Sequence, residues 1–438
     1  MIRSLSPAAR RDLYAVGAAA LLVTAAAVVG TWIEREHGTL HVGWPPLYAK
    51  WLPHVGPGTP AALVVAAAVI TYGPRLADRL PWRGLLATAW ATAMAWTWSL
   101  ALIDGWRRGI ADRLTTKYEY LQVIDRFQDI PATLRDFTAH ILLHSPDHWP
   151  PHVAGHPPAA TLTFVLLDRV GLGGGAWAGA WVITVGASAC VAVLVTVRAL
   201  ATEQLARRAA PFLAMTPAAV WMGTSGDGYF TAVAAWSLAC LALAVTGRRP
   251  RLTGFAAGLL FGLTCYLSYG LTLFALIGAV ILLLGTHRLR PLPYALAGLV
   301  VVPALFTLLG FDWWEAYHLL TTRYYEGAGG IRPYAYWIWA NLACTVLLIG
   351  PATVAGLRRA ATAPTGPPRR LALLVAAALT ALLLADLSGM SKAETERIWL
   401  PFAAWLPASC AFLPSPRVWL AAQAVLALLL NHLLLTGW

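Results

Sequence analysis

Runs of apolar residues alternate with short, arginine-bearing polar breaks along almost the whole 438-residue chain. The runs fall at about 13–33, 57–73, 83–103, 156–171, 175–198, 209–223, 229–246, 252–267, 271–285, 292–309, 337–356, 371–387, 399–413 and 419–436. Many approach the roughly twenty residues a helix needs to cross a bilayer. The pattern predicts an all-α polytopic membrane protein, one integral membrane domain over residues 1–438 with no internal repeat. One long polar stretch interrupts it, residues 104–158, rich in aromatic and histidine residues. A connecting loop needs no such length, so a functional role is expected there.

The basic breaks set the orientation. Placing Arg3, Arg10 and Arg11 in the cytoplasm puts Arg75, Arg79 and Arg83 there too, and leaves 104–158 outside. If every later run crossed, Arg248, Arg249, Arg251, His287, Arg288, Arg290 and the linker at 358–370 would all lie outside, against the rule. One change repairs them all: the run 156–171 does not cross. It is short, opens on His156-Pro157-Pro158 and carries Asp168 and Arg169, as expected of a re-entrant helix. About thirteen transmembrane helices remain, in a multi-pass plasma-membrane protein with the N-terminus cytoplasmic and the C-terminus extracytoplasmic. The outer face gathers 104–158, Gly226-Asp227-Gly228 between two spans, Ser268-Tyr269 in a tight hairpin, and the loops 311–336 and 388–398.

Composition agrees: 58% of residues are hydrophobic and 12% charged, against about 25% charged in a soluble domain. The net charge of +12 sits in short clusters between apolar runs, so a nucleic-acid partner is excluded. Cys190, Cys240, Cys265, Cys344 and Cys410 are scattered singly, without the pairing of a zinc or redox motif. The first apolar run reads as an uncleaved span rather than a signal peptide.

Asp104 lies where a membrane helix gives way to the polar stretch, a depth at which partial burial raises a carboxylate's proton affinity and suits it to act as a base toward a hydroxyl. An ordinary interfacial Asp closing a helix is the alternative. Residues 117–127 place Tyr118, Leu121 and Ile124 at helical spacing, an amphipathic surface helix with Glu119 and Tyr120 near its start. A second such helix is expected from Pro131 to Leu143. The prolines after His156 start a helix whose freed N–H groups suit an anion. His140, His144, His148, His152 and His156 recur every four residues, but Pro146, Pro150 and Pro151 break the helix that a metal site would need. No metal or cofactor is expected.

Taken in order, an outward loop opening on an acidic residue, then Glu119-Tyr120-Leu121, then His156-Pro157-Pro158 resemble the GT-C superfamily of integral membrane glycosyltransferases. That group includes protein mannosyltransferases and the aminoarabinose transferases of lipid A. Asp227, after a Ser-containing turn, and the stretch SKAETERIWLPF resemble later parts of the same pattern. The resemblance implies an inverting transferase moving a mannose- or pentose-like sugar from a polyprenyl-phosphate donor to an extracytoplasmic lipid, glycan or protein hydroxyl, with membrane lipids as its surroundings. It implies catalytic roles for Asp104, Glu119 and Asp227, with the base either Asp104 or Glu119. It further implies donor-phosphate contacts from His156, Lys392, Arg397 and Arg323, and substrate contacts from Tyr118, Tyr120, His152, Tyr269 and Glu394. The chain departs from the pattern in placing two spans before the one that ends at Asp104. Richness in Ala, Arg, Gly and Pro with only three Lys points to a GC-rich, actinobacterial setting. The rival reading is a transporter or flippase for a lipid or amphipathic solute. It lacks the inverted repeat and the paired broken spans of alternating access. A non-catalytic envelope scaffold is the third.

Overall fold

The structure is a computed structural model that describes residues 6–437; Arg3 lies outside the described residues. Helix α1 (Pro7–His37) opens with Ser6 accepting a hydrogen bond from the Ala9 N–H and Pro7 in the first turn, and closes at Gly38 in the left-handed conformation. Such a start and stop satisfy the end groups that a helix cannot pair internally. There follow α2 (Thr59–Arg79), α3 (Trp82–Ala101), the polar stretch, α4 (Ala159–Arg169), α5 (Gly175–Ala187), α6 (Ala189–Leu200), α7 (Glu203–Ala214), α8 (Gly226–Val245) and α9 (Pro250–Leu267). The chain ends with α10 (Phe274–Leu284), α11 (Leu292–Leu308), α12 (Trp313–Glu326), α13 (Tyr334–Ala360), α14 (Pro367–Leu387) and α15 (Pro416–Leu433). Among the described residues, one two-stranded antiparallel ribbon pairs β1 (Ala49–Trp51) with β2 (Leu434–Thr436). The fold is the all-α polytopic one expected.

Among the described residues, seven helices are long and apolar enough to cross a membrane, or eight if α11 and α12, bent by 76°, form one broken span. That is fewer than the thirteen expected, because proline and polar residues cut several apolar runs. Pro217 follows the short α7, and Pro401 and Pro407 divide 399–413 into Leu400–Ala403 and the 3₁₀ turn Leu406–Phe412. Proline removes a donor and clashes with the preceding turn. Helix α13 is itself kinked at Gly350, where Gln423 of α15 donates to the Ile349 carbonyl and repairs the lost bond.

Inter-helix contacts sort the helix ends into two groups. At one end, Asp12 of α1 pairs with Arg358 and Arg359 of α13 at 2.7 and 2.6 Å. There too Arg207 donates to the Leu80 carbonyl, Arg370 donates to that of Leu200, and Arg198 stacks on Trp82. The opposite end holds the end of α3, the starts of α5 and α8, the polar stretch and the loop after α14. Helix α4 does not run between the ends. Its eleven residues span about 16 Å, half of a ~30 Å hydrocarbon core. Tyr120 contacts the chain at its start, and Arg169 at its close donates to the Phe127 and Gln128 carbonyls.

The polar stretch is less helical than its periodicity suggests. Residues Tyr120–Phe127 form a 3₁₀ helix, and the expected 131–143 helix resolves into Ile130–Arg135, capped by Asp129, and the 3₁₀ turn Phe137–His140. The 311–336 loop is largely helix α12, capped by Asp312. Gly226-Asp227-Gly228 is the first turn of α8 rather than a loop, and Ser268 ends α9 before a 3₁₀ turn at Tyr269–Leu273.

Candidate active site

Three sequence-distant pieces meet at the end of the bundle opposite the Asp12 cluster. From the polar stretch come Glu119, Tyr120, His152 and His156; from α8, Asp227; from the loop after α14, Glu394 and Arg397. Asp227 lies in the first turn of α8, where the helix dipole favours a carboxylate. A Cβ on the neighbouring Gly226 would lie 3.2 Å from the Tyr120 ring and 3.3 Å from the Phe230 ring, so the two rings pack closely on this turn. Pro150 and Pro151 start the one-turn helix Pro151–Ala154 that carries His152, and the His152 N–H donates to the Tyr118 carbonyl.

Arg397 is the hub. One guanidinium nitrogen donates to Asp227 Oδ2 at 2.5 Å and another meets Glu394 Oε2 at 3.3 Å and His152 Nε2 at 3.4 Å. On its far side, His152 Nδ1 lies 2.9 Å from Glu119 Oε1. A guanidinium only donates and a carboxylate only accepts, so the His152 ring stands between a donor facing Nε2 and an acceptor facing Nδ1. Glu119 Oε2 is buried with no hydrogen-bond partner among the described residues.

His156 Nδ1 lies 2.7 Å from the His152 carbonyl and 3.2 Å from the Tyr120 hydroxyl. A carbonyl only accepts, so the proton sits on Nδ1 and Nε2 carries the lone pair. Burial pushes the His156 pKa down to about 4, against the pull of Asp227. A neutral ring with an accepting Nε2 suits a hydroxyl better than the phosphate expected of it. Tyr120 stacks on Phe164, and burial, reinforced by Asp227 and Glu119, raises its phenol pKa well above the ordinary range. Burial would raise the Glu119 pKa, but His152, then Arg397 and His156, outweigh it and bring the carboxyl below its usual value. For Arg397, burial opposes the charge and is outweighed by Asp227, Glu394, Tyr120 and Glu119, so the group is held cationic above its ordinary pKa.

Around this centre, Ala393 and Glu394 both adopt positive φ, 69° and 61°. Non-glycine residues hold this conformation at a cost of order 1–3 kcal/mol each and concentrate at functional sites. Arg332 steadies the loop by donating to the Leu40 and Lys392 carbonyls, and lies 3.7 Å from Glu394. Lys392 is nearly buried, with Nζ donating to the Gly329 carbonyl at 2.8 Å.

The other expected site residues lie elsewhere. Asp104 belongs to a separate cluster: Oδ1 is 3.0 Å from both His54 Nε2 and Arg108, and Oδ2 is 3.5 Å from Arg113. Arg113 also donates to Thr436 of β2, so this group ties the end of α3 to the terminal ribbon. Arg323 donates to the Ile141 and Trp149 carbonyls and clamps α12 onto the polar stretch, leaving the centre. Tyr269 packs against Trp313 and Tyr317, while Tyr118 is exposed beside Lys117. Of the histidines spaced by four, His152 and His156 share the centre, and His140 lies apart from them. His140 pairs with Asp136 while His152 pairs with Glu119, and among the described residues no group of three or more His, Cys, Asp or Glu is placed to hold a metal.

Sequence reading missed Arg332 and the weight of Glu396. Glu396 is fully buried, its Oε1 accepts the Tyr48 N–H, its Oε2 has no partner among the described residues, and burial pushes its pKa up to about 7. Its only sequence signal is two glutamates and an arginine within four residues, in Glu394-Thr395-Glu396-Arg397.

No protein-family profile and no curated protein matches the sequence. Among solved structures, the oligosaccharyltransferase of Archaeoglobus fulgidus in complex with Zn and sulfate is similar at 15% identity and a TM-score of 0.48, over 78% of this chain and 53% of that one. Archaeal oligosaccharyltransferase AglB from the same organism, in complex with an inhibitory peptide and a dolichol-phosphate, is similar at 13% identity and a TM-score of 0.44, over 76% and 50%. The chain spans about half the length of these solved chains.

Proposed function

We propose that this chain is an inverting membrane glycosyltransferase of the GT-C kind, moving a mannose- or pentose-like sugar from a polyprenyl-phosphate donor to a lipid, glycan or protein hydroxyl outside the cell. The observation that carries the reading is the buried Glu119–His152–Arg397–Asp227 chain. Glu119 is the base: its carboxyl is held ionised, and Oε2 is the one oxygen not already taken. It removes the proton from the acceptor hydroxyl, whose oxygen attacks the anomeric carbon. The bond from that carbon to the phosphate oxygen breaks, and polyprenyl phosphate departs with the electron pair. Developing negative charge there needs preorganised cations, which Arg397 and Arg332 provide from the two sides of Glu394. Glu394, partly exposed and held at 3.3 and 3.7 Å from its two arginines, is the carboxylate that the donor phosphate displaces. Asp227 keeps Arg397 in place, and His156 Nε2 accepts from a sugar hydroxyl.

In this reading the basic end of the bundle is cytoplasmic and the site end faces outward, with the N- and C-termini on opposite sides. The test is incubation of the purified protein with polyprenyl-phosphate mannose and with a polyprenyl-phosphate pentose, each with detergent-solubilised envelope acceptors. Mass spectrometry should show polyprenyl phosphate released from one donor by the wild type and not by Glu119→Gln, and the product should carry the inverted anomer by NMR. A protein that neither binds nor consumes any polyprenyl-phosphate sugar refutes the proposal.

A further inference from the structure

Away from the centre, towards the end that carries the Asp12 cluster, α2, α3 and α7 enclose an apolar groove of about 240 Å³. Its walls are made of small residues, Gly73 and Ala77 of α2, Ala89 of α3, Ala210 of α7, with Leu76 and Leu80 along one edge. The floor is the close approach of α2 and α7: a Cβ on Gly73 would lie 3.5 Å from Pro211. On α2 the lining runs from Ala68 to Leu80, about 18 Å at 1.5 Å per residue. That is close to the ~15 Å depth of one leaflet's hydrocarbon, so the groove reaches from the leaflet surface to its midplane.

The mouth is cationic. Arg75 and Arg79 follow Ala68 and Tyr72 by seven residues, two helical turns, and so lie over the stripe that lines the groove. Both are exposed and neither makes an ion pair among the described residues, whereas Arg207 and Arg198 nearby are satisfied by Glu203. Asp78, also exposed, is the acid between them. Trp82 sits at the same level under the Arg198 guanidinium, at 4.3 Å, a position that suits an aromatic ring at the headgroup boundary.

We propose that this groove holds one acyl chain of an anionic phospholipid whose phosphate lies on Arg75 and Arg79. The chain fills space that no side chain of the protein occupies, and long arginine stems reach up to the headgroup. Charge selects among lipids of equal chain length, by roughly fivefold for each arginine near the surface. The site is separate from the centre around Glu119, and the inference stands whatever reaction that centre performs.

Native mass spectrometry of the purified full chain, after exchange into micelles with equal amounts of phosphatidylglycerol and phosphatidylcholine of matched chains, tests the proposal. The wild type should retain phosphatidylglycerol over phosphatidylcholine by at least tenfold. The Arg75→Gln/Arg79→Gln protein should retain the two alike. Thr88→Trp and, separately, Thr92→Phe fill the groove from α3 and should lose the retained lipid while keeping the wild-type elution volume and melting temperature. A wild type without headgroup preference overturns the proposal, and so does either groove-filling variant that is folded yet keeps its lipid at wild-type occupancy.

Discussion

Two carboxylates, Glu119 and Asp104, illustrate how surroundings set the chemistry of one functional group. Asp104 has both oxygens engaged, by His54 and Arg108 on one and Arg113 on the other, whereas Glu119 has one oxygen on His152 and one free. Asp104→Asn is therefore expected to weaken the attachment of the terminal ribbon and lower the melting temperature, with turnover close to wild type. Glu119→Gln should leave donor binding nearly intact and cut the rate by about 10²–10⁴, the usual cost of losing a general base. Steady-state kinetics with a donor titration separate the two, and a slow Asp104→Asn beside a fast Glu119→Gln would return the base to Asp104. Asp104 was attractive in the sequence because it closes an apolar run. Nothing in the sequence shows that His54 and Arg113 arrive to occupy it.

The loop after α14 acts as a unit, because Glu394, Glu396 and Arg397 each face a different neighbour within four residues. Glu396 is buried against the Tyr48 N–H, with its pKa pushed up to about 7 by that burial. A carboxyl raised in the folded state stabilises fully below its unfolded value, near 4.5, and that contribution is lost as pH rises through about 7. The melting temperature of the wild type should thus fall between pH 4.5 and 7 relative to Glu396→Gln, whose amide cannot ionise. Equal slopes in a pH series of thermal melts would show that Glu396 titrates alike in the folded and the unfolded chain, against a raised folded value. Arg397 carries the opposite risk. Arg397→Met strands the Asp227 carboxylate in the interior and should cost about 3–5 kcal/mol, and adding Asp227→Asn should recover part of it in a denaturation series.

At the scale of the whole chain, the helix ends divide into a basic end and an end that carries the candidate centre. Arg198, Arg207, Arg358, Arg359 and Arg370 gather at the first, through contacts that link helices far apart in sequence. The positive-inside rule then makes a definite prediction. In a cysteine-free background in intact cells, Thr365→Cys should resist an impermeant thiol reagent, and Gln128→Cys should react. Labelling at 365, or at both positions, contradicts the proposed orientation.

Apolar run length and arginine placement by themselves determined the membrane class, the all-α fold and the expectation that 156–171 does not cross, because the bilayer imposes a length and a charge rule that any sequence must obey. Local residues also singled out Glu119, His152, Asp227 and Arg397, since charged and histidine residues are rare in so apolar a chain. The tertiary structure alone decided which of them share a centre. Arg323 and Tyr269 looked equivalent to Arg397 and Tyr120 in the sequence, yet their partners are carbonyls and aromatic rings elsewhere. The protonation of His156 was likewise beyond sequence, being fixed by a single backbone carbonyl 2.7 Å away. Spacing along a chain records what each helix can bury. The partner of a polar group is set by which helix ends converge, and convergence is a property of the packed bundle.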